Sequence, residues 1–177
     1  YPEIVLIDFF DENDRFAAPD FDSEDDKRKF NHMLKIYHKY TFAELQAVYN
    51  SGCDPEFLPG LQGTIGGELP DKSHGRDSIK KINALCKKNK IRPDYSGCIL
   101  ENGCGHGYFG YEFATTFANT IITDCSLSYL LLASKFIDNC SRLSKEKRLN
   151  DYVLTRADSM RLPIKSGSLS AIHSNNV

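Results

Sequence analysis

Ile99-Leu100-Glu101-Asn102-Gly103-Cys104-Gly105-His106-Gly107 is the stretch on which the fold turns. An apolar run closes on a carboxylate, glycines then alternate, and a helical pattern begins directly afterwards. Glycine permits backbone angles that a β-carbon forbids, and it lets a ligand lie against the main chain. A helix start just beyond offers unpaired N–H groups to a polar or anionic group. Outward from this point the rhythm of short apolar run, turn and helix repeats. Residues 98–101 read as a strand, 107–118 as a helix and 120–124 as a strand. Residues 127–140 read as a helix whose buried face holds Leu130, Leu131, Ala133, Ser134, Phe136 and Ile137, and 152–156 and 168–174 as two further strands. Strand and helix in alternation imply a parallel sheet with right-handed crossovers.

Upstream the organisation differs. Residues 3–10 are a short apolar run that suits a strand, and 11–26 are rich in Asp and Glu, with Arg15 the only basic residue before Lys27. That segment reads as a solvated acidic loop, or as a docking surface for a basic partner. Two helices follow. Ser23 with Asp26 makes a capping-box-like start, and Phe30, Met33, Leu34, Tyr37 and Tyr40 recur on one face. Thr41 with Glu44 repeats the capping pattern before Phe42, Leu45, Val48 and Tyr49. Residues 52–75 carry proline and glycine without periodicity, which marks a boundary. The expected division is an N-terminal extension over 1–75 and a nucleotide-binding half-domain over 76–177. A helix over 77–89 opens the second part, with Ile79, Ile82, Leu85 and Cys86 as its apolar face.

Two cofactor classes fit the glycine loop. Gly105-His106-Gly107-Tyr108-Phe109-Gly110 is a literal G-x-G-x-x-G, the dinucleotide pattern. Glu101 argues for the other class: a pyrophosphate is repelled by a carboxylate at that point, whereas the ammonium and sulfonium of S-adenosyl-L-methionine are not. Asp124 ends the apolar run Ile121-Ile122-Thr123, with Cys125 beside it. Such an acid accepts hydrogen bonds from ribose hydroxyls in either class, the reading that the upstream glycine loop favours over an N-cap for the helix beginning at Ser126. Asp158, after the third strand, reads in isolation as a turn residue.

Together with Arg156-Ala157-Asp158-Ser159-Met160-Arg161-Leu162-Pro163, these segments resemble the class I S-adenosylmethionine-dependent methyltransferases, closest to the small-molecule type that includes the ubiquinone-biosynthesis C-methyltransferases. The resemblance covers roughly residues 97–177. It implies a Rossmann-like, doubly wound, mostly parallel sheet of strand order 3-2-1-4 with a mainly helical N-terminal extension. It implies that Gly103, Cys104, Gly105 and Gly107 present backbone to the methionine moiety, with Glu101 ordering it. Asp124 and Cys125 would lie at the ribose, Asp158 would hold the adenine amino group with Ser159 and Met160 beside the ring, and Asn175 would approach the methionine end. S-adenosyl-L-homocysteine would be the product. Asn102 departs from the usual small residue inside the motif, and Ser170 stands where the family often has Asp. The helix over Ser128–Asn139 is also similar to that of carnosine N-methyltransferases, which the glycine loop does not follow, so it says nothing of substrate. The family continues past its fourth strand, so a chain ending at Val177 reads as truncated there, with an open sheet edge.

Bulk properties exclude little. Hydrophobic residues make up 41% and charged residues 26%, an ordinary globular balance. A net charge of −2 gives no field for nucleic acid. The six cysteines form no C-x-x-C pair, so no metal site is expected. No run is long and apolar enough to span a membrane, and a cytoplasmic setting is the default expectation. The expected partner is a small-molecule methyl acceptor, with the N-terminal helices or the open sheet edge as surfaces for a second copy or a partner chain. The rival expectations are a non-catalytic methyltransferase-like module acting through a partner and an NAD-dependent oxidoreductase. His173 stands near the expected methyl position, either as a strand residue or in catalysis, and no catalytic residue is assigned.

Overall fold

The computed structural model of the chain describes residues 24–51, 73–143 and 148–175. The apolar run over 3–10, most of the acidic segment, Ser23 and the glycine-rich stretch 52–72 lie outside the described residues. Five helices and four strands follow in chain order among the described residues: α1 (Glu24–Ile36), α2 (Phe42–Ser51), α3 (Ser73–Lys88), β1 (Cys98–Asn102), α4 (Tyr108–Ala114), β2 (Asn119–Asp124), α5 (Leu127–Leu143), β3 (Asp151–Arg156) and β4 (Ala171–Ser174). The strands form one sheet, ordered β3-β2-β1-β4, and all three pairings are parallel. This is the parallel sheet expected from the alternation and the Rossmann-like order implied by the family resemblance, with a helical extension before it. The chain runs β1-β2-β3 to one side and returns to place β4 on the other side of β1, which makes the tops of β1 and β4 the topological switch point, the place where open α/β sheets bind ligands.

The helices form where side-chain spacing and caps agree. Thr41 and Glu44 make the reciprocal box that starts α2: the Thr41 N–H donates to Glu44 Oε2 at 2.7 Å, and the Glu44 N–H donates to Thr41 Oγ1 at 3.4 Å. Helix α5 buries Leu130, Leu131, Ala133, Ser134, Phe136 and Ile137, the face expected from the sequence. It packs against β2 and β3, α4 packs against β1 and β2, and α1 and α2 lie on α5. Met33, Phe42, Leu45 and Val48 therefore share one core with Phe136, Ile137 and Leu154. A second cluster, Ile99, Phe113 and Phe117, is covered by Ile79 and Ile82 of α3.

Several boundaries differ from expectation for local reasons. Helix α4 stops at Ala114 and turns into Phe117, because Asn119 must already pair with Cys98. Strand β4 begins at Ala171 rather than at 168: Gly167 has a φ of 77°, and the Ser168 N–H closes a turn onto the Lys165 carbonyl. Leu34 and Leu85, expected on apolar faces, are 49% and 60% exposed.

Candidate functional site

The glycine loop between β1 and α4 is built by hydrogen bonds to the end of β2. The N–H groups of Gly103 and Cys104 both donate to the Thr123 carbonyl at 2.9 Å, and the Gly107 N–H donates to the Cys104 carbonyl at 2.9 Å. Gly103, Gly105 and Gly107 take φ values of 75°, 50° and 83°. Two of them show why glycine is needed. A β-carbon on Gly107 would stand 2.7 Å from Ala133 Cα on α5, so the loop lies directly against that helix. A β-carbon on Gly105 would meet nothing within 4 Å, so this peptide borders open space. The Cys104 side chain turns inward and is 5% exposed, leaving only backbone at its position.

Glu101 sits at the foot of this loop, 1% exposed, in register with Ile122 on one side and His173 on the other. Neither carboxylate oxygen has a hydrogen-bond partner. A β-carbon on Gly110 would lie 2.9 Å from Glu101 Oε2, which places the carboxyl group under the first turn of α4. Burial, reinforced by the neighbouring Asp124 carboxylate, holds its pKa well above the carboxylate range. A buried acid without a partner is costly, and few persist without a functional reason.

Asp124 closes the loop from β2. Its Oδ2 accepts from the Gly105 N–H at 2.9 Å, and its Oδ1 accepts from the Ser126 N–H at 2.9 Å. The cap of α5 is supplied by Ser126, whose Oγ accepts from the Tyr129 N–H at 3.4 Å, so Asp124 is the organiser of the turn rather than the N-cap. Oδ2, with one backbone donor, keeps a further lone pair. Cys125 points its thiol at Asp124 Oδ1 over 3.6 Å, and burial pushes that thiol to about 11, so it stays protonated. Buried Arg156 donates from Nε to the Cys125 carbonyl at 2.9 Å and ties the top of β3 to the same turn.

The segment after β3 is the third wall. Asp158 Oδ1 accepts from the Met160 N–H at 2.8 Å, an Asx turn, so the turn reading holds for that oxygen. Ser159 Oγ lies 3.1 Å from Asn102 Oδ1, and the Thr123 hydroxyl donates to the same atom at 3.3 Å. Asn102, noted from sequence only as a departure, thus bridges the tops of β1, β2 and the β3 loop. Met160 is 87% exposed, and Asn175 is exposed just beyond β4. The His173 ring lies 4.6 Å from that of Phe109 and 5.0 Å from that of Phe113, its Nδ1 is buried without a hydrogen-bond partner, and burial lowers its pKa.

Sequence reading missed the contribution of α2. Gln46 Nε2 lies 3.1 Å from His106 Nε2, and Phe42 sets its ring edge-on to His106 and Tyr108 at 6.2 and 6.3 Å. No spacing rule joins residues 60 positions apart.

No family model matches the chain. In sequence it is similar to two uncharacterized chloroplastic methyltransferases of Arabidopsis thaliana. One is 32% identical over 79 residues, 44% of this chain and 22% of that protein. The other is 32% identical over 88 residues, 49% of this chain and 24% of that protein. The alignments thus span less than a quarter of those relatives' length. Among solved structures, YcgJ of Bacillus subtilis superposes with a TM-score of 0.42 and 17% identity, over 54% of this chain and 37% of that one. In sequence the chain resembles these plant methyltransferases, and its sheet order and flanking helices are consistent with the class I, Rossmann-like S-adenosylmethionine-dependent methyltransferase fold.

Proposed function

We propose that the protein is an S-adenosylmethionine-dependent methyltransferase acting on a small-molecule acceptor, with residues 76–177 forming the cofactor-binding part and 1–75 an N-terminal extension. The observation that carries this reading is Glu101. A carboxyl group with two unpartnered oxygens beneath a glycine loop suits a ligand that brings positive charge, and it disfavours a pyrophosphate. The open space over Gly105, the Asp124 carboxylate with a remaining lone pair on Oδ2, and the Asn102-linked turn at Asp158 and Ser159 lie at the same end of the sheet. These groups fit the cofactor. Glu101 would face the methionine ammonium, Gly103 to Gly107 would offer backbone, Asp124 and Cys125 would border the ribose, and Asp158, Ser159 and Met160 would border the adenine. Asn175 would stand at the methionine end.

The bound cofactor supplies an already activated methyl group. The chain's own work is then to hold acceptor and donor in line and to keep water out. A base is required only for an acceptor that must lose a proton. Packed between Phe109 and Phe113, His173 is poorly disposed for that task.

Calorimetric titration with S-adenosyl-L-homocysteine tests the reading, with NAD as control and Asp124→Ala as the site variant. Binding to wild type, lost in the variant and absent for NAD, is expected. Binding of NAD in place of S-adenosyl-L-homocysteine would overturn it.

A further inference from the structure

We infer that Gln46 of α2 is a positioning residue for the glycine loop: it grips His106 and so fixes the backbone on which the cofactor's methionine end would rest. The second half of this statement rests on the function proposed above; the first half does not.

The loop's backbone is bonded to β2, but three of its five residues have no side chain by which it can be held. Gly103, Gly105 and Gly107 all lie at positive φ, and glycine loses more conformational freedom on ordering than any other residue. Only Cys104 and His106 stand between them with side chains that can be held. Cys104 is anchored in the core at 5% exposure. His106 is anchored on the extension, where its Nε2 lies 3.1 Å from Gln46 Nε2. An amide nitrogen only donates, so the imidazole accepts at Nε2 and carries its proton on Nδ1. The ring is boxed by Phe42 at 6.2 Å, Tyr129 at 5.5 Å and Tyr108 at 5.6 Å. Tyr108, at the start of α4, also sets its ring edge-on to Phe42 of α2 at 6.3 Å. The titratable groups around His106 are Asp124 from β2, Tyr108 from α4 and Tyr129 from α5. Glu44 of α2 is engaged by Thr41 at 2.7 and 2.8 Å. Burial outweighs Asp124 and keeps His106 neutral, the state that accepts from Gln46. Helix α2 is itself secured by Phe42, Leu45 and Val48 in the core, so the grip is exerted from a fixed platform. A loop ordered before binding spares the ligand that entropic cost.

The test compares wild type, Gln46→Ala and Gln46→Glu by amide hydrogen exchange without ligand and by titration with S-adenosyl-L-homocysteine. In Gln46→Ala the Gly105 and Gly107 amides should exchange about threefold to tenfold faster, and affinity should fall by a similar factor, the worth of one hydrogen bond. Amides of α5 and β2 should not change. Gln46→Glu should restore protection, more fully at pH 6 than at pH 8, because a carboxylate pairs best with a protonated ring. Unchanged loop exchange in Gln46→Ala, or equal acceleration throughout α5 and β2, overturns the grip while leaving the cofactor reading intact. Faster loop exchange with no S-adenosyl-L-homocysteine binding to wild type upholds the grip and overturns the cofactor reading.

Discussion

β1 and β4 are neighbours in one parallel sheet, yet they present opposite surfaces at corresponding positions. β1 is bonded on both edges, and Ile99, Leu100 and Glu101 are buried in succession. β4 is bonded to β1 alone among the described strands, and its residues alternate, with Ala171 and His173 turned inward and Ile172 66% exposed. An inner strand reads as an unbroken apolar run, whereas a strand covered on one face alternates. The difference teaches where precise geometry can be kept. The top of β1 is fixed from β2 by Asp124, from α5 by close contact with Gly107, and from α2 by Gln46. The top of β4 has no comparable set of ties among the described residues, and it ends in exposed Ser174 and Asn175.

Four substitutions would break or sharpen this contrast. The largest effect is expected at Gly107→Val, which sets a branched side chain at a φ of 83° and 2.7 Å from a helix backbone. A loss of about 2–4 kcal/mol should appear as a lower urea midpoint at constant m. A loss below about 1 kcal/mol would mean that the loop does not rest on α5. Asp124→Ala comes next. It strips an acceptor from the Gly105 and Ser126 amides and should cost about 1–3 kcal/mol by the same measurement.

Glu101→Gln tests the buried acid through pH. The folded pKa is raised, so the native state holds a proton that the unfolded chain has given up. Wild-type stability is therefore full below the ordinary carboxylate range and declines as pH rises towards the raised value. The Gln variant lacks that decline, and its stability relative to wild type should increase between pH 4 and pH 8. A difference that stays flat over that window would show that Glu101 titrates normally. The smallest effect is expected at the other strand: Ile172→Lys, on an exposed position, should change stability by less than about 0.5 kcal/mol. A cost as large as that of Asp124→Ala would erase the distinction between the two strands.

Much of the site's frame was legible in order of residues. The alternation of strand and helix, the alternating glycines, Ser126 as a helix start and the Thr41–Glu44 box follow from local periodicity and local chemistry, which act over a few residues, whereas the strand order was implied only by the family resemblance. Asn102 was visible only as an oddity, because its bridging role depends on Thr123 and Ser159 arriving beside it. His106 carried no signal of its own, since its partners come from α2, α4 and α5. The extent of β4 was overestimated because Ser168, Ser170 and Ile172 continue the alternation, while the turn at Gly167 delays pairing until the Ser170 N–H donates to the Cys98 carbonyl at 2.8 Å, at the edge of β1.

The sequence by itself determined the alternation of strand and helix, the parallel sheet it implies and the position of the glycine loop at the end of β1, because backbone sterics and apolar periodicity are properties of neighbours in the chain. Only the tertiary structure decided that Glu101 lies unpartnered under α4, that Asp124 spends one lone pair of each oxygen on backbone amides, and that an N-terminal helix reaches across to His106. Those outcomes depend on which distant groups exclude water from one another, and burial of that kind exists only once the chain has packed.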